Sequence, residues 1–255
     1  MPDKQVVLVS GAGSGLGQLT AARALAEDWA VAAVDINAEG LAQLGQHPNL
    51  LCLTADVTDA DAVRVAVARC EAELGPISRV VNAAAIMPLG KLTEQAPASI
   101  HKIMNINYGG LVNLAAAVMP RMLERDHGEF ISYASMVGHW PIFYMGAYAA
   151  SKAAVATFSE VLYQEARNTG VTVLCVCPPI VATPLLSQAK ATVWPRLFDV
   201  FAPIKPQEVL DEIEKVLRTG AGPWVVPGRL TRMAWRMRRW APRLLWAVTR
   251  RIERL

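Results

Sequence analysis

Short β-branched apolar runs alternate along this chain with longer, Ala-rich segments. The runs occupy 6–9, 30–34, 50–53, 79–82, 129–133, 171–177 and 224–226. Several are apolar at consecutive positions, as strands buried on both faces require. Between them, 17–28, 60–74, 98–125, 148–168 and 206–219 have helical composition. Strand and helix in this alternation predict an α/β fold: one doubly wound parallel sheet with helices on both faces. No Ser-, Gly- or Pro-rich linker divides the chain and no internal repeat is visible. The expected organisation is one domain over 1–228 followed by an extension over 229–255.

The extension has its own period. Leu230, Met233, Met237, Trp240, Leu244, Val248, Ile252 and Leu255 recur every three or four residues. Arg229, Arg232, Arg236, Arg239, Arg243, Arg250 and Arg254 fall mostly on the opposite side. This predicts a basic amphipathic helix, kinked or broken near Pro242. From 228 onward nine Arg face one Glu, a charge of +8; the remaining 227 residues hold 16 Lys plus Arg against 21 Asp plus Glu, or −5. Trp235, Trp240 and Trp246 among the Arg residues suit an anionic membrane surface. Docking on a partner subunit, or closing over the body as a lid, is the rival reading. The acidic body and the lack of any nucleic-acid motif argue against nucleic acid.

A hydrophobic share of 53% with 18% charged residues excludes disorder and supplies a sizeable core. Four Cys are too few for a disulfide scaffold, and none has zinc-site spacing, so no metal is expected. They read as buried apolar residues of a protein in a reducing compartment. The apolar run at 6–9 is too short for a signal peptide, and no stretch nears 18 apolar residues. The expectation is a cytoplasmic protein, attached at most peripherally to a membrane through its tail.

The first run ends in Ser10, Gly11, Ala12, Gly13, Ser14, Gly15, Leu16 and Gly17, and a helical pattern follows at once. Such a loop lets the backbone N–H groups of Gly11 through Gly17 approach a pyrophosphate at a helix N-terminus. The spacing is G-x-x-x-G-x-G and differs from G-x-G-x-x-G. Asp35 closes the second run twenty residues after Gly15. A carboxylate there accepts hydrogen bonds from ribose hydroxyls and repels a 2′-phosphate, which favours NAD over NADP.

Tyr148 and Lys152 are four apart in a helical segment and share a face. A nearby ammonium stabilises a phenolate, which fits Tyr148 to exchange a proton with an alcohol or carbonyl oxygen. Ser135 follows the fifth run, where strand ends meet the ligand crevice of an open α/β sheet. Its hydroxyl could hold the substrate oxygen.

Taken together, Gly11-x-x-x-Gly15-x-Gly17, Ser135, Tyr148 and Lys152 resemble the short-chain dehydrogenase/reductase family, over residues 5 to about 228. The resemblance implies a Rossmann-type domain and further residues. Asn107 resembles the family's catalytic Asn, which supports a proton relay through Lys152. Asp56 and Val57 are similar to the pair that contacts adenine. Asn82, Ala83, Ala84 and Ala85 resemble the Asn-Asn-Ala-Gly stretch, and Pro178 to Thr183 the Pro-Gly-x-x-x-Thr stretch beside the nicotinamide. Lys152 would also meet the nicotinamide ribose. Ala85 and Pro179 depart from the pattern, each replacing a Gly. A homodimer or homotetramer is implied, packed through the helices around 98–125 and 148–168.

In the family the stretch between Ser135 and Tyr148 faces substrate. Here it contains Met136, His139, Trp140 and Tyr144 and no Lys or Arg. The later Leu185, Leu186 and Phe198 resemble the lid and are equally apolar. The expected function is an NAD-dependent oxidoreductase that interconverts an apolar secondary alcohol and its ketone: lipid, steroid, terpenoid or aromatic. Its alternatives are an NADPH-dependent lipid-ketone reductase and a non-catalytic cofactor-sensing or membrane-associated scaffold.

Overall fold

The computed structural model describes residues 5–254, apart from the side chains at 238 and 239. Two tail positions assigned above to helix faces, Arg239 and Leu255, lie outside that description.

Seven strands form one parallel sheet in the order β3-β2-β1-β4-β5-β6-β7: β1 (Val6–Ser10), β2 (Ala30–Asp35), β3 (Leu50–Thr54), β4 (Arg79–Asn82), β5 (Gly128–Tyr133), β6 (Val171–Val176) and β7 (Trp224–Val225). The order in which successive strands are added reverses between β1 and β4, whose last residues Ser10 and Asn82 are in register. Such a switch point opens a crevice at the strands' carboxyl ends. Ser10 Oγ donates to Asn82 Oδ1 at 2.9 Å across it, and both residues are buried.

The consecutive apolar residues serve two cores. Leu8, Ala32, Val80, Phe130 and Val173 face one side with α3 (Ala60–Leu74), α5 (Gly110–Glu124) and α7 (Gly146–Glu165). Val7, Val31, Val81, Ile131 and Leu174 face the other with α1 (Gly15–Ala26) and α10 (Pro206–Thr219). The last of these shows how local sequence makes an element. Val209, Leu210, Ile213 and Val216 are one buried stripe, Glu208 accepts from the Lys205 N–H at 3.0 Å, and Gly220 ends the helix in the left-handed region.

Two expectations about elements change. The helix predicted over 98–125 is three pieces: α4 (Pro97–Met104), a π-helical turn at Asn105–Gly109, and α5. Composition is helical throughout, so nothing local marks the wider turn, which is where Asn107 sits. A short helix, α2 (Ala38–Ala42), was not expected; Asn37 Oδ1 caps it by accepting from the Glu39 and Gly40 N–H groups, both at 3.1 Å. Of the four cysteines, Cys70, Cys175 and Cys177 are buried as expected. Cys52 is exposed on β3, the sheet's edge strand, with its Sγ 3.9 Å from the Leu41 carbonyl oxygen of α2.

The tail forms α11 (Arg229–Trp240) and α12 (Pro242–Glu253), broken at Ala241. Pro242, lacking an N–H, starts the second helix where none is needed. The pair packs on the body near the cleft. Trp235 stands 5.8 Å from Trp224 and 5.9 Å from His139, and Trp246 stands 5.4 Å from Phe143. Trp140 Nε1 donates to Thr249 Oγ1 at 3.1 Å. The buried Glu253 carboxylate accepts from the Arg196 and Leu197 N–H groups at the start of α9 (Leu197–Val200). Among the described residues no helix is long and apolar enough to cross a membrane.

Candidate active site

One cleft of about 1060 Å³ runs along the carboxyl ends of the strands. It is lined at one end by the glycine loop with Asp35, Asp56 and Val57, and further along by Ser135, Tyr148 and Lys152. The volume lies at the upper limit for a small-molecule site, roughly 300–1,000 Å³.

The glycine loop is shaped by backbone proximity. Gly11 has φ +72°, and a Cβ there would stand 2.6 Å from the Ala84 nitrogen, so the loops after β1 and β4 touch through it. A Cβ on Gly17 would stand 2.1 Å from the Gly11 carbonyl oxygen, so this position in the first turn of α1 admits only glycine. This is a cradle that side chains would fill, with the N-terminus of α1 opening into it. Asp35 is held by its surroundings: Oδ2 accepts from the Gly13 N–H and Oδ1 from the Asn37 N–H, both at 2.8 Å. A carboxylate has about four lone-pair sites, so capacity for ribose hydroxyls remains. Asp56 Oδ1 accepts from the Thr58 N–H and hydroxyl at 2.8 Å, and the Val57 carbonyl accepts from Asn113 Nδ2 at 2.9 Å. Ser14, Leu16, Ala83, Pro178 and Thr183 also line the cleft. The Pro178 carbonyl accepts from the Met136 N–H at 3.0 Å, which ties the loop after β6 to the loop bearing Ser135. The glycine cradle, free acceptors on Asp35 and two nearby loops together fit a dinucleotide.

Ser135 is the N-cap of α6 (Met136–His139), and Tyr148 and Lys152 face it from α7. Both α7 side chains are buried. Burial pushes the Tyr148 phenol well above its ordinary value, and the Ser135 hydroxyl partly opposes the rise. The phenol is therefore a proton donor at neutral pH. Lys152 does not hydrogen-bond Tyr148. Its Nζ lies 5.7 Å from the ring centroid and donates to the Tyr133 carbonyl at 2.7 Å. Burial lowers its pKa to about 8, partly offset by the Cys175 and Cys177 thiols. The ammonium is thus present below about pH 8 and lost above it. We expect kcat/KM for the nucleotide to fall as pH rises through about 8, since the lost charge no longer attracts an anionic ligand. The same profile on Lys152→Arg checks the assignment, because guanidinium stays charged; a limb that persists there belongs to another group.

Asn107 is fully buried and clamps two elements. Its Oδ1 accepts from the Ile86 N–H at 2.8 Å, while Nδ2 donates to the Ile86 carbonyl and to Ser151 Oγ, both at 3.0 Å. Ser151 Oγ in turn donates to the Tyr148 carbonyl at 2.8 Å. The side chain's donors are fully used in joining the loop after β4 to the tyrosine helix, so it positions Tyr148. Asn82 likewise supports the site from below, bonded to Ser10, and does not line the cleft.

Of the expected substrate contacts, Met136, Trp140, Leu185, Leu186 and Phe198 line the cleft. His139 and Tyr144 do not, among the described residues. His139 packs edge-on to Trp224 and Trp235, with Cys177 Sγ 3.5 Å from Nε2, and burial lowers its pKa. Tyr144 has φ +66°, its carbonyl accepts from the Gly90 N–H, and its side chain packs against the apolar cluster of the cleft wall without lining the cleft itself. Neither direction is readable from spacing within an irregular loop. The sequence reading missed Lys102, which lines the cleft near Ile106, and Arg229, Leu230, Thr231 and Ala234, which bring the tail into its wall. The tail's apolar period was a signal that it covers something, but not what.

The family model for short chain dehydrogenase matches residues 5–194. The chain belongs to that family of oxidoreductases, which work with a nicotinamide cofactor. Estradiol 17-beta-dehydrogenase 11 of Rattus norvegicus is 27% identical over 261 residues, covering 98% of this chain and 84% of that protein. D-threitol dehydrogenase of Mycolicibacterium smegmatis is 36% identical over 191 residues, 72% of each chain. A short chain dehydrogenase of Pseudocercospora fijiensis is 38% identical over 136 residues, and this chain spans only 44% of its length. Among solved structures, a short-chain dehydrogenase from Streptomyces avermitilis superposes with a TM-score of 0.85 at 25% identity, covering 100% of this chain and 98% of that one. A single-residue variant of actinorhodin polyketide ketoreductase with NADPH gives 0.80 at 26% identity, covering 89% and 96%.

Proposed function

We propose that this protein is an NAD-dependent oxidoreductase that interconverts an apolar secondary alcohol and its ketone. The observation that carries the reading is that Ser135, Tyr148 and Lys152 open into the same cleft as Asp35, between walls of Met87, Ile142, Met145, Leu185, Leu197 and Phe198. The glycine loop and Asp35 would hold the dinucleotide, and when bound its nicotinamide supplies or accepts the hydride. The chain's own part is the proton. Ser135 orients the substrate oxygen, Tyr148 gives its phenolic proton to a ketone or takes one from an alcohol, and Lys152 offers a positive charge nearby. Asn107 keeps Tyr148 in place through Ser151. The apolar walls exclude water and favour a lipid, steroid, terpenoid or aromatic substrate over a charged one.

The NAD preference rests on Asp35. Asp35→Asn removes the charge and keeps an acceptor oxygen for one of the two N–H groups, of Gly13 and of Asn37, that now donate to separate carboxylate oxygens. Hydrogen bonds to a charged group contribute about 1.5–3 kcal/mol, so the NAD-to-NADP affinity ratio should fall by roughly 10- to 100-fold. Fluorescence titration with both reduced nucleotides measures it, and an unchanged ratio refutes the assignment. The second reading, an NADPH-dependent reductase, is favoured by the NADPH of the ketoreductase neighbour and by Lys102 in the cleft wall. Tighter NADP(H) binding by the unaltered protein would select it. The proposal includes a homodimer or homotetramer; exposed Leu123 on α5 and Val161 on α7 support a contact through those helices.

A further inference from the structure

The tail helices have two different faces, and the body uses only one. The inward face is filled by Trp235, Trp246, Thr249 and Glu253, each with a partner in the body, and by the buried Leu245. Outward, Leu230 is 71% exposed, Met233 55% and Trp240 85% on α11, while Leu244 and Val248 are exposed one turn apart on α12. Arg229, Arg236, Arg243 and Arg250 are exposed on the same two helices. Docking on the body requires none of these outward apolar side chains, and water would favour polar residues in their place.

We propose that this outer face lies on an anionic lipid surface, with the cleft opening beside it. Charge selects the occupant: the tail carries +8 on a body of −5, so an anionic bilayer attracts one side of the molecule and repels the rest. Side-chain chemistry agrees, since exposed Trp and Leu enter the acyl boundary while Arg meets headgroups. Position gives the third argument. Leu230 and Arg229 both line the cleft and stand exposed, as do Val200 and Phe201, so the cleft's rim is continuous with the start of the outward face. A lipophilic substrate could then pass between bilayer and cleft without crossing water. This last clause rests on the apolar-substrate reading; the docking itself does not. A second copy docking tail to tail would bring two strongly basic faces together, which opposes that arrangement.

The test is sedimentation of the full-length protein with vesicles of phosphatidylcholine alone or mixed with phosphatidylglycerol. We expect pelleting with the anionic vesicles only, reversed by high salt. Two paired variants probe the face: Trp240→Glu with Leu244→Glu, and Arg236→Glu with Arg243→Glu. All four positions are exposed, and nucleotide binding checks the fold. Either pair should lower vesicle partitioning about tenfold or more. Wild type that stays in solution, or variants that pellet equally, would overturn the proposal. So would a smaller light-scattering mass for the variants with vesicle binding intact, which would make the face a subunit contact. Tyr148→Phe should pellet as wild type does, so failure of the catalytic reading is recognisable by itself.

Discussion

Replacing Tyr148 with Phe should lower kcat by about 10²- to 10⁴-fold, the range for loss of a general acid–base group, while nucleotide binding and stability change little. The ring is buried in the apolar cluster that forms the cleft wall, and Phe keeps that packing. Only the hydroxyl is lost. Its raised pKa means that it is protonated at neutral pH and donates directly to a ketone oxygen. Reduction should therefore proceed without a base, whereas alcohol oxidation needs Tyr148 to shed its proton first. Stopped-flow and steady-state rates in both directions, with titration of the nucleotide, measure these effects separately. A variant that retains turnover would move the proton transfer to another group. One that also loses nucleotide binding would make Tyr148 a structural residue. A cellular role untouched by the substitution would support a scaffold.

The second large effect belongs to Gly11→Ala. An Ala at φ +72° costs about 1–2 kcal/mol in the left-handed region. Its Cβ would also press within 2.6 to 2.8 Å of the backbone of residues 83 and 84, and overpacking adds roughly 1–3 kcal/mol. Backbone cannot swing aside as a side chain can, so the loops after β1 and β4 must separate. We expect about 2–5 kcal/mol of lost stability by urea denaturation, and nucleotide affinity lowered by more than tenfold, the equivalent of 1.4 kcal/mol. Gly45→Ala is the matched control: φ is +77° but no atom lies within 4 Å of the added Cβ. It should show the backbone cost alone and leave nucleotide binding unchanged. Equal losses at both positions would refute the steric argument.

The two substitutions act on different layers of one cleft. Gly11 decides whether the loops after β1 and β4 can approach, and Tyr148 carries the proton transfer in the proposed reaction. The link is Asn107, whose amide joins the loop after β4 to the tyrosine helix. The loop after β4 and the helix bearing Tyr148 are therefore coupled through buried hydrogen bonds, which cost most when one partner is left unpaired.

Much of this was legible in the chain. Parallel strands buried on both faces must be apolar at nearly every position, so the seven runs and the order of elements could be read directly. The glycine loop and the Tyr148–Lys152 spacing are local too, because turn sterics and helical period act over a few residues. The break at Ala241 followed from proline lacking an N–H. What sequence could not decide is where side chains from distant segments meet. The turn at Asn105–Gly109 has helical composition, and the side-chain bonds of its Asn107 reach Ile86, nineteen residues before its start. His139 ends α6 and Tyr144 lies beyond it, both among true cleft residues in sequence, and His139 packs instead against Trp224, Trp235 and Cys177. Lys152 was expected to act on the phenol; folding gives its hydrogen bond to the Tyr133 carbonyl instead. The tail's period showed that it is amphipathic, but Glu253 bonding to α9 and Leu230 at the cleft's rim come from contacts across the fold. Periodicity is set by each element's own geometry and survives in one dimension, whereas the choice of partners belongs to the assembled core.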